Sequence, residues 1–114
     1  MPKMVENIIP ILSCSDLAGS MEYYQKVLGF KVDWTYEGSF ASVSRDDWKV
    51  FLNASLSGEA SGRVWVGVED IEALHDEFVA AGARIKGDMI DNPWAREMHV
   101  ADLDGNILRF GGEP

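Results

Sequence analysis

Aromatic side chains set among polar neighbours are the residues of this chain best suited to hold a flat ligand. The candidates for stacking are Trp34, Phe40, Trp65 and Trp94. Asp33 and Glu37 lie close to the first of these, and their carboxylates could attract the positive end of a ligand that stacks on the indole. The competing interpretation is that such large rings belong to the core. It applies most directly to Trp65, which alternates with Val64 and Val66, so that either face of the strand could be the buried one.

Further polar side chains could line the same pocket. Asn53 could supply an oriented amide at the end of a predicted strand. His99 lies between two apolar residues of another predicted strand and therefore points to the face opposite its neighbours. Arg96 and Glu97 are interpreted as a structural pair at the pocket edge. Arg109 could bind an anionic group or pair with a neighbouring carboxylate, and we favour the pairing.

The balance of charge limits the classes of partner. The chain has 10 Lys and Arg residues against 19 Asp and Glu residues, which gives a formal net charge of −9 at pH 7. Such a surface repels phosphate backbones and anionic lipids, so neither nucleic acid nor a membrane surface is expected as a partner. A cationic small molecule, or a neutral one held by shape, is a better match.

Length and cysteine content favour a single intracellular domain. The 114 residues, 46% of them hydrophobic, are enough for one domain. A lone cysteine, Cys14, rules out an intramolecular disulfide and a thiolate zinc site. The first residues do not follow the pattern of a signal peptide, and the longest apolar run, Ile8–Leu12, is too short to span a bilayer. We therefore expect a cytoplasmic protein.

The same structural plan occurs twice along the chain. Asp16 and Asp70 each precede an amphipathic segment, where a carboxylate can cap the first helical turn. Gly29 and Gly82 follow these segments and can adopt the left-handed conformation that ends a helix. The aspartates are 54 residues apart and the glycines 53, which indicates a duplicated unit of about half the chain.

Each unit is predicted to run in the order strand, helix and three further strands. The predicted helices are Leu17–Leu28 and Ile71–Ala81. The predicted strands are Ile8–Cys14, Lys31–Tyr36, Phe40–Ser44, Lys49–Ala54, Arg63–Val68, Arg84–Met89, Arg96–Ala101 and Ile107–Gly111. The expected fold class is α+β, with two tandem βαβββ modules forming a cupped mixed sheet. One domain covers residues 1–114, with module 1 at about 1–54, a linker at 55–62 and module 2 at about 63–114.

Short motifs follow one another at a spacing that is typical of one superfamily. They are Ile8–Leu12, Asp16-Leu17, Glu22-Tyr23-Tyr24, Leu28-Gly29-Phe30 and Asp104-Gly105-Asn106. Together they resemble the vicinal oxygen chelate superfamily, which includes glyoxalases, extradiol dioxygenases and bleomycin-resistance proteins. The resemblance is closest to the bleomycin-resistance branch, through Arg45-Asp46-Asp47, Val64-Trp65-Val66 and Pro93-Trp94-Ala95-Arg96-Glu97. The chain departs from the family pattern at Ala95 and Leu103, where a glycine and a proline are usual.

The resemblance also identifies the positions at which enzymes of this superfamily bind a divalent metal. Carried over by motif, these positions are Ile9, Phe51, Arg63 and Arg109. Neither an apolar side chain nor a guanidinium has a lone pair to donate to a metal at neutral pH. The resemblance therefore implies a protein without metal or cofactor, and we assign no catalytic residue.

What the resemblance implies about function is capture of a drug. Bleomycin-resistance proteins are dimers that bind the antibiotic in clefts between subunits, and Trp34, Phe40 and Trp94 fall where family members place pocket aromatics. We therefore expect a homodimer that sequesters a bleomycin-class antibiotic, cationic and aromatic, without turnover. Two alternatives stay open. One is an enzyme of the same superfamily, with a displaced metal site or with Glu97 and His99 as acid–base groups, and the other is a binder of an unrelated metabolite.

Overall fold

The computed structural model describes residues 4–54 and 61–114, which form two helices and nine strands. The helices are α1 (Leu17–Lys26) and α2 (Ile71–Ala81). The first half contains β1 (Ile11–Ser13), β2 (Lys31–Tyr36), β3 (Phe40–Arg45) and β4 (Trp48–Asn53). The second half contains β5 (Arg63–Gly67), β6 (Arg84–Ile85), β7 (Ile90–Asp91), β8 (Arg96–Ala101) and β9 (Ile107–Gly112). Most of the predicted linker, 55–62, lies outside the described residues.

Each module has its own mixed sheet. The first sheet has the strand order β1-β4-β3-β2, and the second has the order β5-β9-β8-β6, with β7 also paired to β8. In both sheets the first strand of the module is parallel to the last, while the other pairs are antiparallel. The predicted α+β class with two tandem βαβββ modules is confirmed. No helix among residues 4–54 and 61–114 is long and apolar enough to cross a membrane.

Three predicted boundaries are wrong by a few residues. The helix predicted to reach Leu28 ends at Lys26, and the first strand covers only Ile11–Ser13. The strand predicted over Arg84–Met89 stops at Ile85, and pairing with β8 resumes in β7. Gly87 lies in this gap with a φ of 75°, a left-handed conformation that turns the chain out of an extended strand.

The repeated caps are present in both modules. The side chain of Asp16 accepts a hydrogen bond from the amide of Gly19 at 3.2 Å, and Asp70 accepts one from Ala73 at 3.0 Å. These bonds satisfy amide groups of the first helical turn that have no partner within the helix. Gly82 ends α2 with a φ of 79°. The N-terminal caps thus follow the expected symmetry, whereas the helix ends differ: α1 is capped by Val27 in a right-handed conformation, and Gly29, with a φ of 76°, lies two residues further along.

One face of each sheet is covered by the helix of its own module. Val43 and Leu52 are fully buried in the same cluster as Tyr24 of α1. In the second module, the rings of Phe78 from α2 and Phe110 from β9 meet edge to face, 5.1 Å between centroids. Because side chains alternate along a strand, the neighbours of these residues lie on the other side of each sheet. We call these surfaces the open face of the first sheet and the open face of the second sheet.

The turn between β8 and β9 connects the two modules. Asp102 accepts a 2.8 Å hydrogen bond from the hydroxyl of Tyr24 in α1. Asp104 accepts hydrogen bonds from the amide and hydroxyl of Ser15, at 2.9 and 2.8 Å. The side-chain amide of Asn106 donates to the carbonyl of Ser13 at 2.9 Å. The acidic turn of the second module thus fixes the start of the first helix.

Candidate functional site

Three aromatic rings form a continuous surface on the open face of the first sheet. The rings of Trp34 and Phe40 are stacked, with centroids 5.8 Å apart and planes 13° from parallel. Phe51 contacts both, at centroid distances of 5.4 Å from Trp34 and 5.2 Å from Phe40. Trp34 remains 44% exposed. We call these three residues the aromatic patch, and it offers the stacking surface that a flat ligand needs.

Strand register explains why the three rings share one face. Trp34 and Phe51 both pair with Ser42, on opposite sides of β3, and Phe40 lies two residues away on the same strand. The pairing of β2 shifts between Val32 and Trp34. A bulge of this kind brings consecutive residues to the same side of a strand, and Asp33 accordingly joins Trp34 on the open face.

Asp33 is bound by two buried hydroxyl groups beneath the aromatic patch. Ser42 donates to Asp33 at 2.9 Å and Ser44 donates at 2.8 Å. Burial by itself would raise the pKa of this carboxyl, but the two serine hydroxyls, with Lys49 and Lys31 nearby, hold it below its ordinary value. Asp33 therefore stays ionised next to Trp34, as a site for a cationic group requires.

Two other predicted residues border the aromatic patch. Asn53 pairs with Phe40 across the sheet and is buried. Glu37 is exposed in the turn after β2, with a positive φ of 47°. Asn53 thus lies beside Phe40 in the sheet, whereas Glu37 lies in the turn between β2 and β3.

The open face of the second sheet is organised around the buried carboxylate of Glu97. This side chain is 0% exposed. One carboxylate oxygen accepts from the side-chain amide of Asn92 at 2.8 Å and from the indole of Trp94 at 2.9 Å. The other accepts from Nε and Nη2 of Arg109 at 2.9 and 2.7 Å, and lies 3.0 Å from Nε2 of His99. The predicted pairing of Arg109 with a carboxylate is confirmed.

The protonation state of Glu97 follows from these partners. Burial alone would raise the pKa of the carboxyl. The hydrogen bonds from His99, Arg109, Trp94 and Asn92 outweigh burial and lower the pKa to about 2. Glu97 is therefore a permanent anion at neutral pH, with both oxygens engaged.

Trp65 and Trp94 both present rings at this face. Trp65 lies over Gly111, and the guanidinium carbon of Arg109 lies 5.8 Å from the centre of its ring. The sequence left open whether Trp65 lies in the core or in the pocket. The structure places its ring on the open face. Trp94 is 65% exposed, although its N–H is bound to Glu97. Its indole is therefore fixed in place while its ring remains available.

Arg96 does not pair with Glu97, and that prediction is wrong. Arg96 instead binds Glu72 of α2, and its Nε lies 3.2 Å from Asp91. Consecutive residues of β8 point to opposite sides of the sheet, so that Arg96 lies on the helix side and Glu97 on the open face. Arg96 lines a separate acidic cavity of about 440 Å³ beside the start of α2. The structure therefore separates it from the other predicted pocket residues.

The residues at the family's metal-binding positions do not fit a metal. Phe51 belongs to the aromatic patch, and Arg109 is bound to Glu97. Ile9 and Arg63 offer no lone pair either. Within the part of the chain that the structure describes, no group of three or more His, Cys, Asp or Glu side chains could hold a metal ion.

Sequence reasoning did not identify four contributors to these faces. They are Phe51 in the aromatic patch, Ser42 and Ser44 beneath Asp33, and Asn92 beside Glu97. Phe40, Ser42 and Ser44 alternate along β3, and this spacing of two was the available signal for the first sheet. Asn92 lies five residues from Glu97, and nothing in its spacing predicts the contact.

Comparison with known structures gives full-length matches to antibiotic-binding proteins. A bleomycin-binding protein from Streptomyces verticillus, complexed with copper(II)-bleomycin, is 24% identical with a TM-score of 0.79, covering 100% of both chains. An antibiotic-binding protein from Streptomyces sp. CB03234 is 16% identical with a TM-score of 0.80, covering 99% of this chain and 100% of that one. A glyoxalase-related enzyme from Clostridium phytofermentans is 22% identical with a TM-score of 0.84, covering 98% of both. These similarities show that the chain has the same fold as these proteins.

Sequence comparison establishes the family. No curated protein gives a significant match to the chain. The family model that describes the Glyoxalase/Bleomycin resistance protein/Dioxygenase superfamily matches residues 7–110. The match covers both modules and agrees with the motifs and with the two βαβββ units. The chain belongs to the glyoxalase/bleomycin resistance protein/dioxygenase superfamily.

Proposed function

We propose that this protein binds a flat aromatic small molecule, of the bleomycin class of antibiotics, and sequesters it without chemical change in the cytoplasm. The observation that carries the proposal is the aromatic patch, in which Trp34 and Phe40 stack and Trp34 stays 44% exposed. Large rings left open on a sheet face are a ready stacking surface. Each aromatic pair formed with a ligand contributes about 0.5–1.5 kcal/mol beyond the burial of area.

Charge supports a ligand that carries a cation. Asp33 remains ionised beside Trp34, and a second carboxylate, Glu37, is exposed in the turn between β2 and β3. The chain as a whole has a net charge of −9, which attracts cations at long range. Proteins of similar structure that bind bleomycin or another antibiotic support the same class of ligand.

The state of Glu97 favours binding over catalysis. A general base works best with a pKa near the operating pH. Glu97 has a pKa of about 2, and both of its oxygens already accept hydrogen bonds. His99 is held by the same carboxylate. Glu97 would therefore be a weak general base, which counts against the alternative of an enzyme that uses Glu97 and His99 as acid–base groups.

A homodimer is part of the proposal. In bleomycin-resistance proteins, which the chain resembles, clefts between subunits hold the ligand, and each subunit here carries one open face in each module. The aromatic patch of one subunit would then meet the open face of the second sheet of the other subunit at the interface. Light scattering coupled to size exclusion should give twice the mass of the chain at micromolar concentration, and a monomer would contradict this part.

A titration of tryptophan fluorescence with metal-free bleomycin tests the proposal. We expect saturable quenching near one ligand per subunit in the wild type. The variant Trp34→Phe should lose much of the quenching and weaken binding about tenfold, as expected for 1.4 kcal/mol of lost stacking. Trp48→Phe is the matched control, because Trp48 lies in the β3–β4 hairpin and is 79% exposed.

The outcomes separate the candidates. Absence of quenching up to high micromolar bleomycin would remove this antibiotic class as the ligand. Quenching by an unrelated aromatic cation in the same assay would favour the alternative of a metabolite binder. Equal losses in Trp34→Phe and Trp48→Phe would contradict a role for the aromatic patch.

A further inference from the structure

Arg109 uses only part of its guanidinium in the contact with Glu97. Nε and Nη2 both donate to one carboxylate oxygen, at 2.9 and 2.7 Å. Nη1 donates to no acceptor among residues 4–54 and 61–114, and the side chain is 36% exposed. One edge of the guanidinium is thus bound to Glu97. The N–H groups of the other edge can donate to a ligand at the open face of the second sheet.

The guanidinium is held in a fixed orientation. Glu97 is fully buried and is itself bound by Asn92 and Trp94, so the carboxylate that anchors Arg109 has little freedom to move. The ring of Trp65 lies 5.8 Å from the guanidinium carbon on the neighbouring strand. Donors fixed before the ligand arrives lose less conformational entropy on binding.

The charges around Arg109 favour an anion at this position. His99 is its partner across β8 and β9, and Arg63 lies on the same face of β5 as Trp65. Glu97, on the same face, is already paired and accepts hydrogen bonds on both oxygens. Glu69 and Glu113 line a pocket with Trp94 and Gly111, so the positive charge is local to Arg109 and Arg63.

We propose that the free edge of Arg109 binds a carboxylate, or another anionic oxygen group, attached to the aromatic ring system of the ligand. Trp65 and Trp94 flank the site and can contact the ring, while Nη1 donates to the oxygen. Glu97 acts as the positioning residue for this guanidinium. The inference goes beyond the proposed function, since it assigns an anion subsite to the second sheet and leaves the cation to Asp33 on the first.

A pair of probes with one ring and opposite charges tests the subsite on the wild-type protein. The probes are 2-naphthoate and 2-naphthylmethylammonium, followed by two-dimensional NMR of the indole N–H and arginine Nε–H signals. At the second sheet, followed by the signals of Trp65, Trp94 and Arg109, we expect 2-naphthoate to bind about tenfold more tightly, because its carboxylate can accept a charge-assisted hydrogen bond from Nη1. It should also shift the signals of Trp65, Trp94 and Arg109. Binding of 2-naphthylmethylammonium beside Trp34 and Asp33 leaves the inference intact, whereas equal affinities of the two probes at the signals of Trp65, Trp94 and Arg109, or no response of these signals to either probe, would overturn it.

A variant assigns the preference to Arg109. Arg109→Gln should weaken 2-naphthoate about tenfold and leave 2-naphthylmethylammonium unchanged or tighter. Lys26→Gln removes a positive charge from α1, where the lysine forms a 3.4 Å surface ion pair with Glu22, and should change the affinity of either probe less than about twofold. Similar effects of the two variants would mean that net charge alone sets the preference, and would overturn the inference. Should Arg109→Gln fail to fold, the wild-type comparison of the two probes still decides.

The bleomycin titration keeps this inference separate from the proposed function. Quenching at Trp34 by bleomycin, together with no preference for 2-naphthoate, would reject the anion subsite and keep antibiotic capture. A clear preference for 2-naphthoate that depends on Arg109, without bleomycin binding, would keep the subsite and reject the antibiotic.

Discussion

The indole of Trp65 lies so close to Gly111 that a methyl group added at this glycine would overlap the ring. Strand β9 therefore needs a residue without a side chain at Gly111 for Trp65 to rest on the sheet. On the open face of the second sheet, Trp65 thus packs on a glycine of the neighbouring strand. One added methyl group at this glycine would disrupt the contact.

The variant Gly111→Ala should displace Trp65 and lower the free energy of unfolding by about 1–3 kcal/mol, the usual cost of overpacking. Chemical denaturation and the wavelength of tryptophan emission measure the two effects. Gly67→Ala is the matched control, because its added carbon would lie 3.7 Å from Nε1 of Trp65, an ordinary contact. Equal losses in the two variants would contradict the account.

Replacement of Glu97 by Gln should make the stability of the protein depend less on pH. The folded-state pKa of about 2 lies below the ordinary value of 4.5, so the charged carboxylate stabilises the fold above pH 4.5 and this contribution disappears as the pH falls toward 2. At neutral pH, Glu97→Gln should cost roughly 1–3 kcal/mol, because an amide N–H then faces buried donors.

Urea denaturation of the wild type and of Glu97→Gln between pH 7 and pH 3 measures the difference in their free energies of unfolding. This difference should become smaller as the pH falls. Glu22→Gln serves as the control, since Glu22 forms a 3.4 Å surface ion pair with Lys26. It should cost less than about 1 kcal/mol at any pH. A constant difference between wild type and Glu97→Gln across the range would argue against the low pKa.

Removal of a hydroxyl beneath the aromatic patch should raise the pKa of Asp33. Ser44→Ala removes a 2.8 Å hydrogen bond that stabilises the ionised carboxylate, so the pKa should move up toward the ordinary value of 3.8. A carboxyl NMR titration records the shift. Ser39→Ala, whose hydroxyl donates to the carbonyl of Tyr36, should leave Asp33 unaffected. An unchanged pKa in Ser44→Ala would contradict the assignment.

The two modules should be coupled through Arg45 and Glu77. Arg45 donates to both carboxylate oxygens of Glu77 in α2, at 2.6 and 2.9 Å, and also to the carbonyl of Leu28 at 2.8 Å. Because the pair is partly exposed, a double-mutant cycle with Arg45→Met and Glu77→Gln should give a coupling of about 0.5–1 kcal/mol. Arg45→Met should be the more costly single change, since it also leaves the Leu28 carbonyl without its donor. Additive effects would show that the ion pair does not couple the modules.

The sequence was sufficient for features set by local spacing. The caps at Asp16 and Asp70 depend on neighbours three residues away, and the fold class follows from helical and strand periodicity. Trp34 and Phe40 are pocket candidates by residue type and family resemblance, whereas their shared face depends on the register and the bulge between β2 and β3.

Contacts between distant segments were not predictable in the same way. The local sequence at Arg45 indicates a turn, but its partner lies 32 residues away in another module. Glu97 was paired with its neighbour Arg96 because the two are adjacent in sequence, although alternation along β8 separates their side chains. The choice among Arg109, His99 and Trp94 as partners of Glu97 depends on strand order, which spacing alone does not give.

The acidic turn between β8 and β9 has a consequence for synthesis on the ribosome. Ser15 finds its partner 89 residues later, at Asp104, and Tyr24 finds its partner 78 residues later, at Asp102. The first module is translated long before these carboxylates emerge, and until then the start of α1 lacks the groups that fix it. Full docking of the nascent first module must therefore wait for nearly the whole chain, which makes the two modules late partners in folding despite their separate sheets.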